Sequence, residues 1–419
     1  DDAEIAKVLQ QQFAEEARAD AVENVGDAAE AGVPGGSLAV AAEFGDKTAT
    51  QTVDDQDIAK AERDVEESGE ISPEILQQMR DLGLFGMTLP QKYGGLALSM
   101  AQQVRATFEF TQASAVFRAR FSTTLGLASQ AILFNGSPEQ CAAYLPKMAS
   151  GEITASFALT EPGAGSDAGG ITTHTKREGD DYIINGEKCF ITNAPEADLF
   201  VVMARSDPAS TGASGISAFL VEAGTPGLTI GRTDRKMGQH GSHTSNVFFD
   251  DCRIPASALL GNEEGQGFKN AMAGINTARM HVAATCVGQA MRLIDEAVAY
   301  AAQRKQFGKP ISDFQSIRNM LANSQADTLA AKSMTLAVAQ RIDDGEHPLG
   351  DMSCCKLFAS EMVCRVADNA VQILGGAGYM NDHVVSRMYQ DVRLFRIFEG
   401  TSQIHQLIIS REMLKDAAA

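Results

Sequence analysis

The feature that most constrains the fold is the order of hydrophobic spacings along the chain, which changes from helical to strand-like and back to helical. Residues 1–155 carry apolar positions at helical spacing, residues 156–262 carry short β-prone runs, and residues 263–419 return to helical spacing. This order predicts an α+β multidomain protein. It has an N-terminal helical domain (1–155), a middle antiparallel β domain (156–262) and a C-terminal four-helix bundle (263–419).

Local signals refine this division. In the middle part, Asn185-Gly186 separates two strand-like runs, 182–184 and 190–192, which predicts a β-hairpin at that point. In the first part, Ser72-Pro73 predicts a helix start with Ser72 as the N-cap, and the glycine-rich residues 31–46 predict a loop or an irregular insertion. In the last part, helical spacing predicts long helices at 266–306, 311–343, 351–374 and 402–415.

Charge and residue types exclude several functions. The formal net charge of −19 argues against nucleic-acid binding, and an anionic ligand would need a local basic pocket. The 7 cysteines contain no C-x-x-C pair and the 7 histidines no metal-site spacing, so we expect a reducing compartment and no metal, with His240 and His243 in a polar loop. No apolar run is long enough to span a membrane, and the N-terminus lacks the pattern of a signal peptide.

Three segments have both a functional and a structural explanation. Residues 157–167 (FALTEPGAGSD) form a turn of small and hydroxyl residues, which could admit a ligand or simply reverse the chain. Residues 372–379 place glycines where a backbone could face an anion or a ring, although a helix C-cap also favours glycine. Residues 304–309 are a basic helix end that could bind a pyrophosphate or complement the helix dipole.

A fourth segment, residues 397–403, contains a candidate base. Glu399 follows two apolar residues and precedes Gly400, which leaves room for a flat or bulky group beside the carboxylate. In an apolar cleft the charged form of a carboxyl is disfavoured, so its pKa rises toward the range of a general base. Thr401 or Ser402 would cap the last helix. Taken alone, Glu399 could also be a solvated loop residue.

Together, these segments resemble the acyl-CoA dehydrogenase family over roughly residues 72–416, whereas residues 1 to about 70 match it poorly. The resemblance is carried by residues 83–86, 93–96, 159–167, 372–376 and 398–402. It implies the family's helical, β and four-helix-bundle fold, usually assembled as a homotetramer, with FAD bound between the β domain and the bundle.

The resemblance also implies which residues contact FAD. Phe190 matches a position that is often Trp and keeps an aromatic face. The contacts within one subunit would be Phe157, Leu159, Thr160, Gly165, Ser166, Phe190, Ile191, Thr192, Thr401 and Gln403. The contacts to the FAD of a neighbouring subunit would be Arg304, Phe307, Gln315, Gln372, Ile373, Gly375 and Gly376.

The resemblance assigns Glu399 as the catalytic base of an acyl-CoA dehydrogenase in fatty-acid β-oxidation. In the family reaction the base removes the pro-R α-proton of the acyl-CoA while a hydride leaves Cβ for flavin N5, which gives the trans-2-enoyl-CoA. Some branched-chain members place their base where this chain has Ala278, which cannot act as one and so supports Glu399. The substrate contacts would be Ser166, Asn276, Arg279, Gly400 and Arg118.

Several alternatives stay open. Arg118 matches an arginine that pairs with the distal carboxylate in glutaryl-CoA dehydrogenases, or it faces solvent or a neighbouring helix. The chain could also be a non-catalytic acyl-CoA-binding homologue, or could use an acyl-carrier-protein thioester. An electron-transferring flavoprotein is favoured over oxygen as acceptor, because family oxidases usually carry a further C-terminal domain. We expect the bacterial cytoplasm, or the mitochondrial matrix as an alternative.

Overall fold

The computed structural model describes residues 38–44, 47–53, 55–210 and 212–418, all within the unit Ser37–Ala419. Helices come first, a β-sheet follows, and helices return after it, so the predicted fold class is confirmed. Among the helices described, none combines the length and the apolar character that a bilayer crossing demands.

The first helical part begins with a β-hairpin and continues with short helices. Its elements are β1 (Leu38–Phe44), β2 (Lys47–Val53), α1 (Asp55–Ser68), α2 (Pro73–Asp81), α3 (Met100–Phe110), α4 (Ala115–Thr123), α5 (Ser129–Asn135) and α6 (Pro138–Ala149). The predicted cap of α2 is confirmed, since Ser72 Oγ accepts a hydrogen bond from the Ile75 N–H at 3.4 Å.

The predicted loop at residues 31–46 is wrong where the structure describes it. Leu38–Phe44 is strand β1, paired antiparallel with β2 from Leu38↔Val53 to Phe44↔Lys47. The partner strand is rich in threonine, and β-branched residues favour extended backbone. The rest of the predicted loop lies outside the described residues.

The middle part is a seven-stranded sheet with the order β3-β6-β4-β5-β9-β8, and β7 pairs with β6. Most neighbouring strands are antiparallel as predicted, but β6 runs parallel to both β3 and β4, so the sheet is mixed. The strands are β3 (Ala155–Ala158), β4 (His174–Glu178), β5 (Asp181–Thr192), β6 (Leu199–Arg205), β7 (Ile216–Glu222), β8 (Leu228–Thr233) and β9 (Thr244–Pro255).

The hairpin predicted at Asn185-Gly186 is wrong, because both residues lie inside the continuous strand β5. The register against β9 shifts between Ile184 and Gly186, which marks a bulge. A Cβ at Gly186 would come within 2.7 Å of the Thr173 Cα, so glycine is needed here because the backbone at Thr173 packs closely against β5. The chain reverses instead before β5, where Gly179 has φ +63°.

The last part contains long helices close to the predicted spans. They are α7 (Gly267–Gln303), α8 (Gln315–Asp343), α9 (Leu349–Leu374), α10 (Val384–Val392) and α11 (Ser402–Ala418). The two-residue strands β10 (Lys305–Gln306) and β11 (Lys309–Pro310) join α7 to α8. Helix α10 was not predicted, because its nine residues are too few to give a clear periodic signal.

Helix α3 packs into this bundle although it precedes the sheet in sequence. Its residues Val104 and Phe108 belong to the same buried cluster as Val287 of α7 and Val363 of α9. The carboxylate of Asp343, at the end of α8, accepts hydrogen bonds from the first backbone N–H groups of α3 at 2.6 and 2.9 Å.

Candidate active site

Glu399 lies on a left-handed turn between Phe398 and helix α11. Its φ is +54° and that of Gly400 is +93°, so two successive residues have positive φ. A Cβ at Gly400 would come within 3.1 Å of His405 Nε2, and glycine avoids this contact as well as the backbone strain. Thr401 Oγ1 accepts a hydrogen bond from the Ile404 N–H at 3.3 Å, so Thr401 caps α11, one of the two predicted possibilities.

Two buried side chains bind the carbonyls of this turn. His405 Nε2 lies 3.2 Å from the Glu399 oxygen, and because a carbonyl only accepts, the nitrogen carries the proton. Lys356 Nζ donates to the Gly400 oxygen at 2.7 Å from helix α9. Neither His405 nor Lys356 has any exposed surface. The turn that presents Glu399 is therefore bound from α9 and from α11.

The Glu399 carboxylate is partly buried and makes no ion pair or hydrogen bond with a described residue. Burial raises the pKa of its carboxyl, and the charges of Arg118, Arg279 and Lys356 reverse only part of that rise. The Glu399 carboxylate thus has a raised proton affinity, and both of its oxygens lack a hydrogen-bond partner among the described residues. A general base requires both properties.

Arg118 on α4 lies close enough to Glu399 for the two charges to interact. It is 8% exposed, and within the described parts of the chain its guanidinium has no hydrogen bond or ion pair. Burial lowers the pKa of Arg118 to about 10 while Glu399 raises it, so the side chain is charged at neutral pH. The predicted alternative of a solvent-facing arginine does not fit this burial.

A neutral histidine lies beside Arg118. His281 Nε2 is 2.7 Å from Gln103 Oε1 of α3. Burial, and to a smaller extent the positive charge of Arg118, lowers the pKa of His281 to about 3. The imidazole is therefore uncharged at pH 7, and the positive charge on this wall of the site belongs to Arg118.

Helix α7 contributes the predicted substrate residues Asn276 and Arg279. Arg279 Nη1 donates to Asn276 Oδ1 at 2.8 Å, while its buried Nε has no partner in the described structure. Burial lowers the pKa of Arg279, and Glu399 raises it. Ala278, next to Arg279, is buried and offers no proton acceptor.

The predicted flavin segment 157–167 lies beside the end of β5. The Cys189 N–H donates to the Thr160 oxygen at 2.9 Å, and Ser156 Oγ donates to the Thr192 oxygen at 2.7 Å. These bonds bring Phe157 and Thr160 next to Phe190 and Thr192. Leu159 and Ile191 are buried in the sheet's two cores, whereas Gly165 and Ser166 are exposed.

This segment fits a flat, anionic cofactor such as FAD. A Cβ at Gly163 or Gly165 would meet nothing within 4 Å, so the backbone of the turn is open to a ligand. Phe190 is 69% exposed with φ +58°, on a bulge where the register of β5 against β9 shifts. A bulky residue that is both exposed and left-handed indicates a functional constraint.

A buried ion pair fixes the backbone of the same turn. Glu161 accepts hydrogen bonds from Lys188 Nζ at 2.8 Å, from the Thr172 N–H and hydroxyl at 2.6 and 2.8 Å, and from the Thr173 N–H at 2.9 Å. Burial alone would raise the pKa of Glu161, but Lys188 and these donors hold it well below the usual range. Both carboxylate oxygens of Glu161 are therefore satisfied.

Five of the remaining predicted residues form a second group. A cavity of about 670 Å³ is lined by Arg304, Phe307, Ile373, Gly375 and Gly376 among others, and by none of the residues around Glu399. Phe307 is 92% exposed with φ +52°. Gln315 and Gln372 are exposed and outside this lining, and Gln403 is exposed on α11.

The polar loop that contains His240 and His243 pairs with acidic residues. His240 Nδ1 lies 2.7 Å from Glu66 of α1. His243 binds Glu196 through Nδ1 and the Gly69 oxygen through Nε2. Glu70, Glu196 and His243 offer three atoms within 4.8 Å of one another, and His243 Nε2 lies 3.7 Å from Glu70 Oε1.

Sequence reasoning missed Lys356, His405, His281 and the Glu161–Lys188 pair. A signal for Lys356 was present, because it lies within the apolar side of a helix whose other buried residues include Met352, Ala359 and Val363. A lysine at such a position is costly unless it is paired, and this marks it for attention.

Three family models match successive parts of the chain. They are the acyl-CoA dehydrogenase N-terminal domain at residues 46–152, the middle domain at residues 156–252 and the C-terminal domain at residues 265–414. The caffeyl-CoA reductase-Etf complex subunit CarC of Acetobacterium woodii is 40% identical over 376 residues, which cover 90% of this chain and 97% of that protein.

Solved structures show the same relationship. Butyryl-CoA dehydrogenase from Megasphaera elsdenii is 35% identical with a TM-score of 0.79, covering 86% of this chain and 97% of its own. Glutaryl-CoA dehydrogenase from Mycobacterium smegmatis is 32% identical with a TM-score of 0.78, covering 85% of this chain and 94% of its own.

The fold and these relatives define a flavoenzyme of the oxidoreductase class that acts on CH–CH bonds and uses FAD. The chain belongs to the acyl-CoA dehydrogenase family.

Proposed function

We propose that this protein catalyses the α,β-dehydrogenation of an acyl-CoA thioester to the trans-2-enoyl-CoA, with Glu399 as the base that removes the α-proton. The observation that carries the proposal is the Glu399 carboxylate, which is partly buried, unpaired among the described residues and higher in pKa than an ordinary glutamate. FAD supplies the hydride acceptor, flavin N5, when it is bound at residues 157–166 and 190–192.

The chain's own groups can stabilise the charge that this reaction creates. As the α-proton leaves, the thioester oxygen gains negative charge and requires hydrogen-bond donors. The Glu399 N–H makes no hydrogen bond to another described group and can donate to that oxygen. Arg118, Arg279 and Lys356 add positive charge around the same site, which favours an enolate-like transition state over the neutral substrate.

The test compares Glu399→Gln with Glu412→Gln, a matched change on α11 at a half-buried glutamate that pairs with Lys415. Each holoenzyme is mixed anaerobically with butyryl-, octanoyl- or glutaryl-CoA, and bleaching of the flavin absorbance is followed. We expect Glu399→Gln to slow bleaching by about 10²–10⁴-fold with unchanged FAD content. The control should match wild type. Normal bleaching by Glu399→Gln would refute the proposed base, and a protein that cannot be loaded with FAD would refute the reaction.

The same groups serve the reverse reaction, in which protonated Glu399 returns a proton to Cα of an enoyl-CoA. The name of the CarC relative describes a reductase in a complex with Etf. On this support we propose an electron-transferring flavoprotein as the redox partner. The family relationship is the basis for proposing a homotetramer, and the bacterial relatives are the basis for proposing the bacterial cytoplasm as the location. Incubating the reduced enzyme with crotonyl-CoA measures the reverse direction under the same conditions.

A second candidate substrate class is a dicarboxylic acyl-CoA. Arg118 supports it, because a buried guanidinium without a described partner is costly until an anion binds to it. The similarity to a glutaryl-CoA dehydrogenase points the same way. We expect Arg118→Leu to lower kcat/KM for glutaryl-CoA by about 10- to 100-fold more than for butyryl-CoA, because both substrates lose a positive charge near the reacting atoms but only glutaryl-CoA loses a charged hydrogen bond. Unaltered turnover of glutaryl-CoA would remove this candidate.

A further inference from the structure

We propose that Lys356 is a positioning residue for Glu399: its buried ammonium binds the Gly400 carbonyl, fixes the turn that presents the carboxylate, and favours the ionised form of that carboxylate. This inference rests on the proposed function of Glu399 as the base. Lys356 does not touch the thioester in this role, and its effect on the reaction passes through the Glu399 side chain.

The burial of Lys356 is hard to explain by stability alone. The side chain has no exposed surface, lies in the N-terminal half of α9, and has the buried residues Cys355 and Ala359 near it on that helix. Its hydrogen bond within the described structure is the one to the Gly400 oxygen at 2.7 Å. An apolar side chain of similar volume would fill the same space without the cost of desolvating an ammonium.

The turn that Lys356 binds needs support from outside. Glu399 is a non-glycine residue with φ +54°, a conformation that persists only when surrounding contacts enforce it. His405 Nε2–H binds the Glu399 oxygen from α11, and Lys356 binds the next oxygen from α9. Two successive carbonyls are therefore fixed from two helices, which leaves the carboxylate a restricted position.

The charge of Lys356 acts on the same carboxylate. The charged groups that face Glu399 are Arg118 from α4, Arg279 from α7 and Lys356 from α9, and each lowers the pKa of its carboxyl against the effect of burial. His405 from α11 is neutral, because burial lowers the pKa of its imidazole to about 3. Lys356 is thus the cation that both binds the turn and acts on its carboxylate.

Lys356 has several ionisable neighbours of its own. Burial is the main cause that lowers the pKa of Lys356 to about 8. Among its neighbours, Cys286, Glu399 and Glu361 raise this pKa, whereas Arg279 lowers it. Burial raises the pKa of the Cys286 thiol well above its usual range, so this group is neutral at working pH. Glu361 is ionised because Ser402 and Arg396 lower its pKa against burial. Lys356 is therefore mainly charged at pH 7.

The experiment uses two substitutions that separate the hydrogen bond from the charge. Lys356→Gln keeps a donor for the Gly400 oxygen but has no charge, and Lys356→Met has neither. Lys415→Met removes an exposed lysine of α11 and serves as the matched control. For each FAD-loaded enzyme, the pH dependence of anaerobic flavin bleaching is measured with the best of butyryl-, octanoyl- and glutaryl-CoA. The pKa of Glu399 is also measured by pH-difference infrared spectroscopy, on the carboxyl band that disappears in Glu399→Gln.

We expect both Lys356 variants to raise the pKa of Glu399, and the acid limb of the rate profile, by about one unit. Lys356→Met should in addition lower the limiting rate about tenfold more than Lys356→Gln, because only the glutamine keeps the turn in place. Lys415→Met should change neither quantity. An infrared pKa that is the same in wild type and both variants would overturn the inference, even if the rate falls, because the loss would then be structural.

The two proposals fail in different ways. If Glu399→Gln bleaches its flavin normally, the proposed function is wrong, and the inference that rests on it falls as well. If Glu399→Gln is inactive but the Lys356 variants keep the wild-type pKa and rate profile, the base stands and the positioning role is wrong. The infrared measurement needs no turnover, so it gives a result even if none of the three thioesters is a substrate.

Discussion

The ammonium of Lys188 lies 2.8 Å from Glu161 Oε1, and the two side chains are 0% and 3% exposed. This ion pair joins strand β5 to the turn that precedes β4, and Lys188 also donates to the Leu159 oxygen at 3.1 Å. The pair therefore fixes the backbone of the segment predicted to bind FAD. The sequence resemblance names neither of these two residues as an FAD contact.

Lys188→Met should destabilise the protein by about 3–5 kcal/mol, because it leaves the Glu161 carboxylate buried without its cation. The double variant Lys188→Met/Glu161→Gln should recover part of this loss. Urea unfolding of the holoenzyme measures both. Asp327→Asn, which breaks the exposed pair with Arg365, is the control and should cost less than about 1 kcal/mol. Equal effects of the buried and exposed changes would contradict the role of burial.

Phe190→Ala should weaken FAD binding by about tenfold, because an exposed aromatic ring in a strained conformation has little role in the protein without a ligand. The apoprotein should melt at the same temperature as wild type. Phe134→Ala, at a phenylalanine that is 62% exposed and belongs to no predicted site, is the control. Titration of each apoprotein with FAD, monitored by flavin fluorescence, compares the FAD affinity of the two variants. A loss of apoprotein stability in Phe190→Ala would assign the ring a structural role.

Gly400→Ala should lower the rate of flavin bleaching by at least tenfold at unchanged FAD content. Its Cβ would press on His405 Nε2 at 3.1 Å and so displace the Glu399 turn. Gly345→Ala separates this contact from backbone strain, because Gly345 has φ +89° and open space around it. Both variants should lose about 1 kcal/mol of stability from the positive φ. Activity should fall only in Gly400→Ala, and a fall in both would point to a general loss of folding.

Asp391→Asn should make the protein less sensitive to pH between about 4 and 6. Burial raises the pKa of Asp391 to about 6, against a hydrogen bond from the Gln239 N–H. The folded state therefore binds more protons than the unfolded state in this window, and the free energy of unfolding falls as pH rises through it. Above pH 7 the variant should be more stable than wild type by up to about 3 kcal/mol.

Asp382→Asn, at an exposed position, is the control for this pH dependence and should follow wild type. The measurement is the urea midpoint from pH 4 to pH 8 on the FAD-loaded protein. A variant of Asp391 whose stability runs parallel to wild type at every pH would show that this carboxyl titrates normally in the folded protein.

The order of helical and strand spacings was sufficient to predict the fold class, because hydrophobic periodicity records which side of each element is buried. The predicted helices at 311–343 and 351–374 begin within four residues of α8 and α9 and end with them. Asn185-Gly186 misled the prediction, since glycine there allows a close approach to Thr173 rather than a turn. That approach is a tertiary contact, which no local pattern encodes.

The candidate base could be proposed from sequence because Glu399-Gly400 lies in a short motif with its turn residue beside it. Lys356 and His405 could not be connected with it in the same way. Lys356 lies 43 residues before Glu399, and its contact depends on how α9 packs against the turn. Residue type and spacing predict which groups exist, whereas packing between helices decides which of them meet.

The bond between the Asp343 carboxylate and the first turn of α3 has a consequence for dissecting this protein. Because α3 shares its buried surface with α7 and α9, a fragment beginning at residue 263 would expose an apolar stripe to water and lose the partner of its own α8 terminus. Helix α3 and the bundle helices, which are separated in sequence by the β-sheet, should therefore unfold cooperatively. A truncated protein that lacks α3 would be prone to aggregate rather than fold.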